Sequence, residues 1–467
     1  MNDGLWAPER RALTTGLVLT ITFIASEALA VVTIMPVVAA DLGGLRLYGW
    51  VFSAFMLGSL VGIVAAGREA DRRGPALPYI AGLILFSAGL VVAGLAPSMP
   101  VLVVGRTLQG FGAGAVPAVA YVAIGRSFPD RIRARMMAVL STAWVVPGLA
   151  GPALSAEVAR HAGWRWVFLG LIPLVAVAGL LALPALIRLG RPAGEQHEHP
   201  EHRLVDGVRS AAGAALVLGG LTARSPLAAV ALVVAGVALG LPALRRLLPT
   251  GTLTGRPGLP ATILSRGLLT FAFFGGDAFV TLAITTVRNG STSLASLAVT
   301  GATLSWTAGA WIQARLNDRW EPSRLVRLGL IIVLGGIAGM VVVLRPSTPL
   351  WVAIAAWTLA GLGMGLAYAP IALMMLREAP PGREGWASAS LNLADVLGIA
   401  LGAGLGGAAV AVSSNAGWAL STGAAAAFLL AAAGGVTGLA VSARLPRLPR
   451  DTVAALNPGL APRTSAQ

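Results

Sequence analysis

The sequence predicts an all-α membrane protein: two parallel-repeat six-helix bundles plus two inserted central helices, fourteen transmembrane helices in total. Three observations carry the prediction. Composition comes first: 56% of the residues are hydrophobic and 11% are charged, against about 25% charged in soluble domains, and mean hydropathy is +0.79. Second, apolar runs recur at roughly the 20 residues that cross a hydrocarbon core about 30 Å thick. Third, a set of short features in the first part of the chain returns in the second part at a nearly constant offset.

The spans fall at 13–38, 48–66, 76–95, 99–125, 136–158, 166–187, 206–222, 226–244, 261–287, 293–314, 325–344, 349–375, 387–411 and 417–441. The first has a trace of a secretory signal, with Arg10 and Arg11 before an apolar stretch that reaches Ala28-Leu29-Ala30. That stretch continues to about Ala40 and further spans follow it, so it reads as a transmembrane helix. The connections hold Gly, Pro, Ser and Asp, as turns require. The expected organisation is a six-helix half over 1–188, a cytoplasmic linker with the two inserted helices over 189–250, a second six-helix half over 251–443, and a mobile cytoplasmic tail over 444–467.

The charge is distributed unevenly among the loops. The net charge is +15, which in a soluble protein would suggest a nucleic-acid partner, but here it sits between apolar runs and no nucleic acid is expected. With the N-terminus placed in the cytoplasm, one side takes Arg68, Arg72, Arg73, Arg126, Arg131, Arg133, Arg135 and most of the rest. The other takes Arg46, Arg160, Arg165, Arg224, Arg288 and Arg345. By the positive-inside rule both termini are cytoplasmic in a multi-pass protein of the cell's inner membrane. Trp50, Trp164, Trp166, Trp320, Trp351, Trp386 and Trp418 lie near span ends, where an aromatic belt belongs.

Absences narrow the function. Every basic residue other than histidine is Arg, so there is no lysine for a Walker A loop or for Schiff-base chemistry. There is no cysteine for a disulfide or a thiol nucleophile. His197, His199 and His202 lie in a short polar linker whose spacing fits no specific metal site. Neither an enzyme, a cofactor nor a metal centre is expected.

The repeat has three parts. Gly62 precedes Asp71-Arg72 by nine residues as Gly309 precedes Asp318-Arg319, with an offset of 247. Arg106-Thr-Leu-Gln-Gly110-Phe-Gly112-Ala-Gly114 aligns with Trp357-Thr-Leu-Ala-Gly361-Leu-Gly363-Met-Gly365, with an offset of 251. Glu27-Ala28 after Thr22-Phe23 is echoed by Asp277-Ala278 after Thr270-Phe271. Parallel repeats of this kind are how transporters build two halves that rock about a midplane site. The offset exceeds one six-span half, and spans 206–222 and 226–244 account for the excess.

An ionisable residue inside a span costs about 2.5–3.5 kcal/mol on insertion scales and marks a functional site by default. Glu27 and Asp277 occupy the middle of their spans, where a carboxyl can pass a proton between the two membrane faces. Arg106, with Gln109 on the same helix face at i+3, keeps its own proton but can bias a nearby carboxyl. These four residues are the expected proton-coupling set, concentrated in the first half because Trp357 and Ala360 replace the polar pair in the second. Asp71, Arg72, Asp318 and Arg319 sit at cytoplasmic turns, where a carboxylate can cap a neighbouring helix and act as a conformational latch. Asp395, Asn392, Trp357 and Trp144 are expected to line the cavity, with an Asp395–Asn392 hydrogen bond as the alternative for the acid. Glu157 is expected to pair with Arg160 at i+3.

Leu102-x-x-x-Arg106-x-x-Gln109-Gly110-x-Gly112-Ala113-Gly114 resembles the fourth-helix motif of the major facilitator superfamily. Gly67-Arg-Glu-Ala-Asp71-Arg72-Arg73-Gly74 resembles its loop between helices two and three, although Pro75 and Ala76 stand where basic residues are usual. Gly151-Pro152 resembles the antiporter signature of helix five, with Pro147, Ser155 and Ala156 in place of its usual glycines. With fourteen spans, the chain is similar to the 14-spanning drug:proton antiporter branch. The resemblance implies proton-coupled export of amphipathic or cationic small molecules by a monomer that works among membrane lipids. Export of lipids or lipid-like metabolites is the alternative, and a transport-incompetent sensor with the same fold is a third reading.

Overall fold

The computed structural model describes residues 6–7, 10–128, 136, 139–140, 143, 145–190, 202–316, 320–380 and 383–446. Among these, the chain is all-helical, with fourteen long helices. They are α1 (Arg11–Leu42), α2 (Tyr48–Arg73), α3 (Ala76–Gly94), α4 (Met99–Ser127), α5 (Val145–His161), α6 (Leu171–Arg188), α7 (His202–Leu221), α8 (Pro226–Leu247), α9 (Leu259–Leu282), α10 (Thr292–Leu316), α11 (Pro322–Val343), α12 (Trp351–Glu378), α13 (Glu384–Asn415) and α14 (Leu420–Ser442). A short helix, Arg165–Leu169, leads into α6, and one π-helical stretch, Ala283–Val287, closes α9.

Helices are forced here because no water is available in a bilayer core to satisfy free backbone N–H and C=O groups. Twelve of the fourteen are long and apolar enough to cross a membrane. The other two are α5, described over 17 residues, and α10, where Thr300, Thr303, Ser305 and Thr307 dilute the apolar run. One boundary differs from expectation. The Gly67–Arg73 motif is not a loop: α2 continues through Arg73 and stops at Gly74, whose φ of 89° is open to glycine and strained for other residues.

The packing repeats as the sequence does. α2 packs on α4 as α10 packs on α12, and α3 packs on α4 as α11 packs on α12. Glycines allow the close approach: a Cβ on Gly58 would lie 2.5 Å from the Thr107 carbonyl oxygen, and one on Gly309 would lie 2.5 Å from that of Leu362. The two bundles meet along two seams related by the repeat, α2 with α13 and α5 with α10. Several inter-bundle contacts lie toward the end opposite the chain termini. The Ser53 hydroxyl donates to the Ala400 carbonyl at 2.7 Å, the Thr281 hydroxyl donates to that of Val32 at 2.7 Å, and Tyr48 packs on Phe279 with ring centres 5.7 Å apart.

The inserted helices break the symmetry. α7 and α8 pair with each other, and α7 lies over the α2–α13 seam, where Ala211 packs with Leu57, Leu60, Leu397 and Ala400. Trp50 on α2 donates to the Thr222 hydroxyl at the end of α7 at 3.3 Å. Among the described residues, the α5–α10 seam has no such cover. There a groove of about 340 Å³ is lined by Leu149, Thr303, Leu304, Thr307, Ala308 and Trp311.

Of the tryptophans expected in the belt, Trp50 and Trp386 are half-buried. Trp166, Trp320, Trp351 and Trp418 are exposed at helix ends, as a belt requires. Trp164 is buried and donates to the Asp41 carboxylate at 2.9 Å, beside an Arg165–Asp41 pair at 2.9 Å, tying the end of α1 to the start of the sixth span. Glu157 faces His161 at 3.3 Å, one residue beyond the expected Arg160.

Candidate functional site

Glu27 lies near the midpoint of α1 and is 0% exposed; Arg106 on α4 is 2% exposed and Gln109, one turn on, is 0% exposed. The structure brings these three together. The Arg106 Nη1 donates to the Glu27 Oε1 and, at 2.7 Å, to the Gln109 Oε1. Its Nε donates to the Val51 carbonyl on α2 at 3.1 Å, and the guanidinium lies 4.3 Å from the centre of the Phe55 ring. The guanidinium thus spends its fixed charge on one carboxylate, one amide, one backbone carbonyl and one aromatic face. The Glu27 Oε2 and the Gln109 Nε2 are buried and have no partner among the described residues. An unpaired acceptor and an unpaired donor beside the same cation leave the site with open hydrogen-bonding capacity.

Asp277, on α9, occupies the equivalent place in the second bundle and is 6% exposed. Its Oδ1 accepts from the indole N–H of Trp357 at 2.7 Å. Since Asp277 and Trp357 are the repeat partners of Glu27 and Arg106, both bundles place a carboxyl on their first helix against a donor on their fourth. One donor carries a charge and the other does not. Trp357, expected to line the cavity, is 0% exposed and stacks on Phe273 at 5.3 Å.

Asp395 is held by residues that the sequence reading passed over. The Arg266 Nε donates to its Oδ1 at 2.8 Å, and the Tyr368 hydroxyl donates to its Oδ2 at 3.1 Å. Arg266 also donates to the Tyr368 carbonyl at 2.7 Å and lies 3.0 Å from the centre of that ring. Asn392 is exposed, and the Asp395 side chain engages Arg266 and Tyr368, on α9 and α12, instead of Asn392 on its own helix. Arg266 was legible in principle: it is an arginine inside an apolar span, the same signal that singled out Arg106.

Of the expected latch, Arg72 is exposed on the last turn of α2, where Arg73 pairs with Glu69 at 2.9 Å. The Asp71 side chain, Asp318, Arg319 and Trp144 lie outside the described residues.

Two parallel six-helix bundles, each with a buried carboxyl on its first helix held by a donor on its fourth, have the architecture of a multi-pass membrane transporter. The family model of the Major Facilitator Superfamily matches residues 13–403, and the chain belongs to that family. A probable multidrug-efflux transporter of Mycobacterium tuberculosis is 30% identical over 463 residues, covering 94% of this chain and 97% of that one. Among solved structures, a D-xylose–proton symporter superposes with a TM-score of 0.65 at 14% identity, covering 94% of this chain and 98% of that one. An auto-inhibited POT family peptide transporter gives 0.64 at 19% identity, covering 93% and 98%. The two structures share the fold.

Proposed function

We propose that the chain exports amphipathic or cationic small molecules by alternating access, driven by protons, from the cytoplasmic membrane with both termini in the cytoplasm. The observation that carries this reading is the buried Glu27–Arg106–Gln109 group at the middle of the first bundle. A charge pair out of water persists only while both partners remain ionised and well bonded. A proton arriving on Glu27 dissolves the pair and frees Arg106, which cannot discharge itself, to seek other acceptors. That change differs between the two faces of the membrane, which is what coupling requires. Protonation from the outside then favours release of substrate, and deprotonation inside resets the cycle. The 30%-identical relative described as a multidrug-efflux transporter supports the substrate class.

The test is proton flux in proteoliposomes holding a pH-sensitive dye in the lumen. Addition of a substrate cation should shift the luminal pH, and Glu27→Gln should abolish the shift. A shift of wild-type size in Glu27→Gln refutes the assignment. Export of lipids is a second reading, favoured by the open groove on the α5–α10 seam, whose Leu149, Leu304 and Trp311 are exposed. It requires movement of a labelled phospholipid in the same vesicles, whether or not the headgroup is charged.

A further inference from the structure

We infer that the inserted pair α7–α8 travels with the second bundle and latches the first. A hydrogen bond from Trp50 to Thr222 holds α2 against α7 while the bundles touch at the end opposite the chain termini, the outer end in the proposed orientation, and breaks when they part there. The inference rests on the reading of the two bundles as halves that rock by alternating access, and is independent of cargo and of proton coupling.

The inserted pair is one body. A Cβ on Gly213 would lie 2.5 Å from the Gly240 Cα, and one on Gly236 would lie 2.6 Å from the Gly213 carbonyl oxygen, so α7 and α8 meet backbone to backbone. Nearer the chain termini, Arg246 on α8 pairs with the buried Asp206 on α7 at 3.2 Å. Whatever holds α8 therefore holds α7. α8 passes into α9, the first helix of the second bundle, through residues 248–258, and that loop is bound to the second bundle. Arg444, just past α14, donates to the Thr254 and Gly255 carbonyls at 2.9 Å and 3.1 Å. The Ser390 hydroxyl on α13 donates to the Trp386 carbonyl at 2.9 Å and lies 3.3 Å from that of Leu247. Leu248 and Thr252 are buried.

The two sides of α7 differ in texture. Toward α13 it interlocks: the buried Leu218 fills a notch at Gly404, where a Cβ would lie 2.5 Å from the Leu218 Cδ1. The contact with α2 is longer but smooth. There α7 presents Gly207 and Gly219, where a Cβ would make ordinary contacts, at 3.6 Å from Val64 and 3.8 Å from the Trp50 ring. A side chain seated in a groove must be lifted out before two helices slide, whereas a smooth face permits shear with little loss of contact. The slip plane therefore lies between α7 and α2.

A polar contact crosses that plane at its outer end. The Trp50 indole N–H donates to the Thr222 hydroxyl at 3.3 Å. That hydroxyl directs its own proton at the Leu218 and Gly219 carbonyls, each 3.1 Å away, which leaves its lone pairs for the indole. Trp50 stands between two points where the bundles touch. A Cβ on Gly49 would lie 2.5 Å from the Ala403 carbonyl oxygen on α13, and Ser53 is bonded to Ala400. When α13 withdraws and carries α7 with it, the indole loses its acceptor as Ser53 loses its own. The insert thus adds a hydrogen bond to the closed outer end and leaves the open one without it.

The chain has no cysteine, so introduced cysteines carry spin labels without ambiguity. Labels are placed pairwise at Arg46→Cys just before α2, Arg224→Cys just after α7 and Ser414→Cys near the end of α13, on the full chain in detergent micelles. Gly49→Trp, whose side chain has no room against α13, serves as a wedge that forces the outer end apart. In the wedge variant the 46–414 and 46–224 distances should lengthen together while 224–414 stays as in the parent chain. A fixed 46–224 distance with a lengthened 224–414 distance overturns the inference, because the insert then travels with the first bundle. A 46–414 distance that the wedge leaves unchanged refutes the rocking itself, and the inference with it. Without the wedge, loss of the latch should raise the ratio of open to closed outer ends about three- to ten-fold, read from the 46–414 pair in Trp50→Phe. Thr222→Val removes the same bond from the other side and should give the same rise, so the reading survives a failure of Trp50→Phe to fold. An unchanged ratio in Thr222→Val refutes the latch.

Discussion

Replacing Arg106 by methionine keeps much of the side-chain length and removes the charge that Glu27 depends on. Both residues are almost wholly buried, at 2% and 0% exposure. In Arg106→Met, Glu27 keeps no partner among the described residues, since its Oε2 has none and its Oε1 is bonded to Arg106. Removing one member of a buried pair costs about 3–5 kcal/mol. Glu27→Gln is milder, about 1–3 kcal/mol, because Arg106 retains Gln109, the Val51 carbonyl and the Phe55 face. The double variant carries no charge at the site and should lose less than the sum of the two. Lowering the pH should rescue Arg106→Met and leave Glu27→Gln unchanged, because a carboxyl is neutralised by gaining a proton whereas a guanidinium keeps its charge. The assay is unfolding in mixed detergent micelles at pH 5 and pH 7.5 for the wild type, both single variants and the double. Additive losses, or an Arg106→Met deficit identical at both pH values, would refute the reasoning.

Trp357→Phe preserves the stack on Phe273 but withdraws the indole hydrogen bond from the Asp277 carboxyl, so unfolding in the same micelles should report a loss of about 1–3 kcal/mol. Gly309→Val drives a Cβ toward the Leu362 carbonyl oxygen, 2.5 Å away, and should cost about 1–3 kcal/mol by forcing α10 off α12; the midpoint of thermal unfolding checks it. Ser53→Ala deletes a hydrogen bond between the two bundles, and loss of about 1 kcal/mol should favour their separation at that end. Paired spin labels on α2 and α13 should then report a larger population at long distance.

The aliphatic content and its spacing fixed much of the architecture before any contact was known. A hydrocarbon core admits only segments of bilayer length with satisfied backbones, so fourteen apolar runs meant fourteen helices. The repeat followed from residues whose roles are local: Gly62 and Gly309 pack against a neighbouring helix wherever that helix lies. The mid-span charges were legible too, because an acid or arginine is costly in lipid and therefore conspicuous. Helix facing was not legible. In a membrane the lipid-exposed side is as apolar as the interior, so the 3.6-residue contrast that orients a soluble helix is nearly absent. That is why Trp357, expected on a cavity wall, is fully enclosed, and why Asp395, expected on the cavity or bonded to Asn392, is held by Arg266 and Tyr368 on two other helices.

The sequence by itself thus determined a doubled helical membrane protein with Glu27 and Asp277 at matching positions. Only the tertiary structure decided that Arg106 closes on the first and Trp357 on the second. Those pairings depend on how α1 meets α4 and how α9 meets α12 over about 80 residues of intervening chain, and helix phase across that distance is set by packing, not by any local pattern.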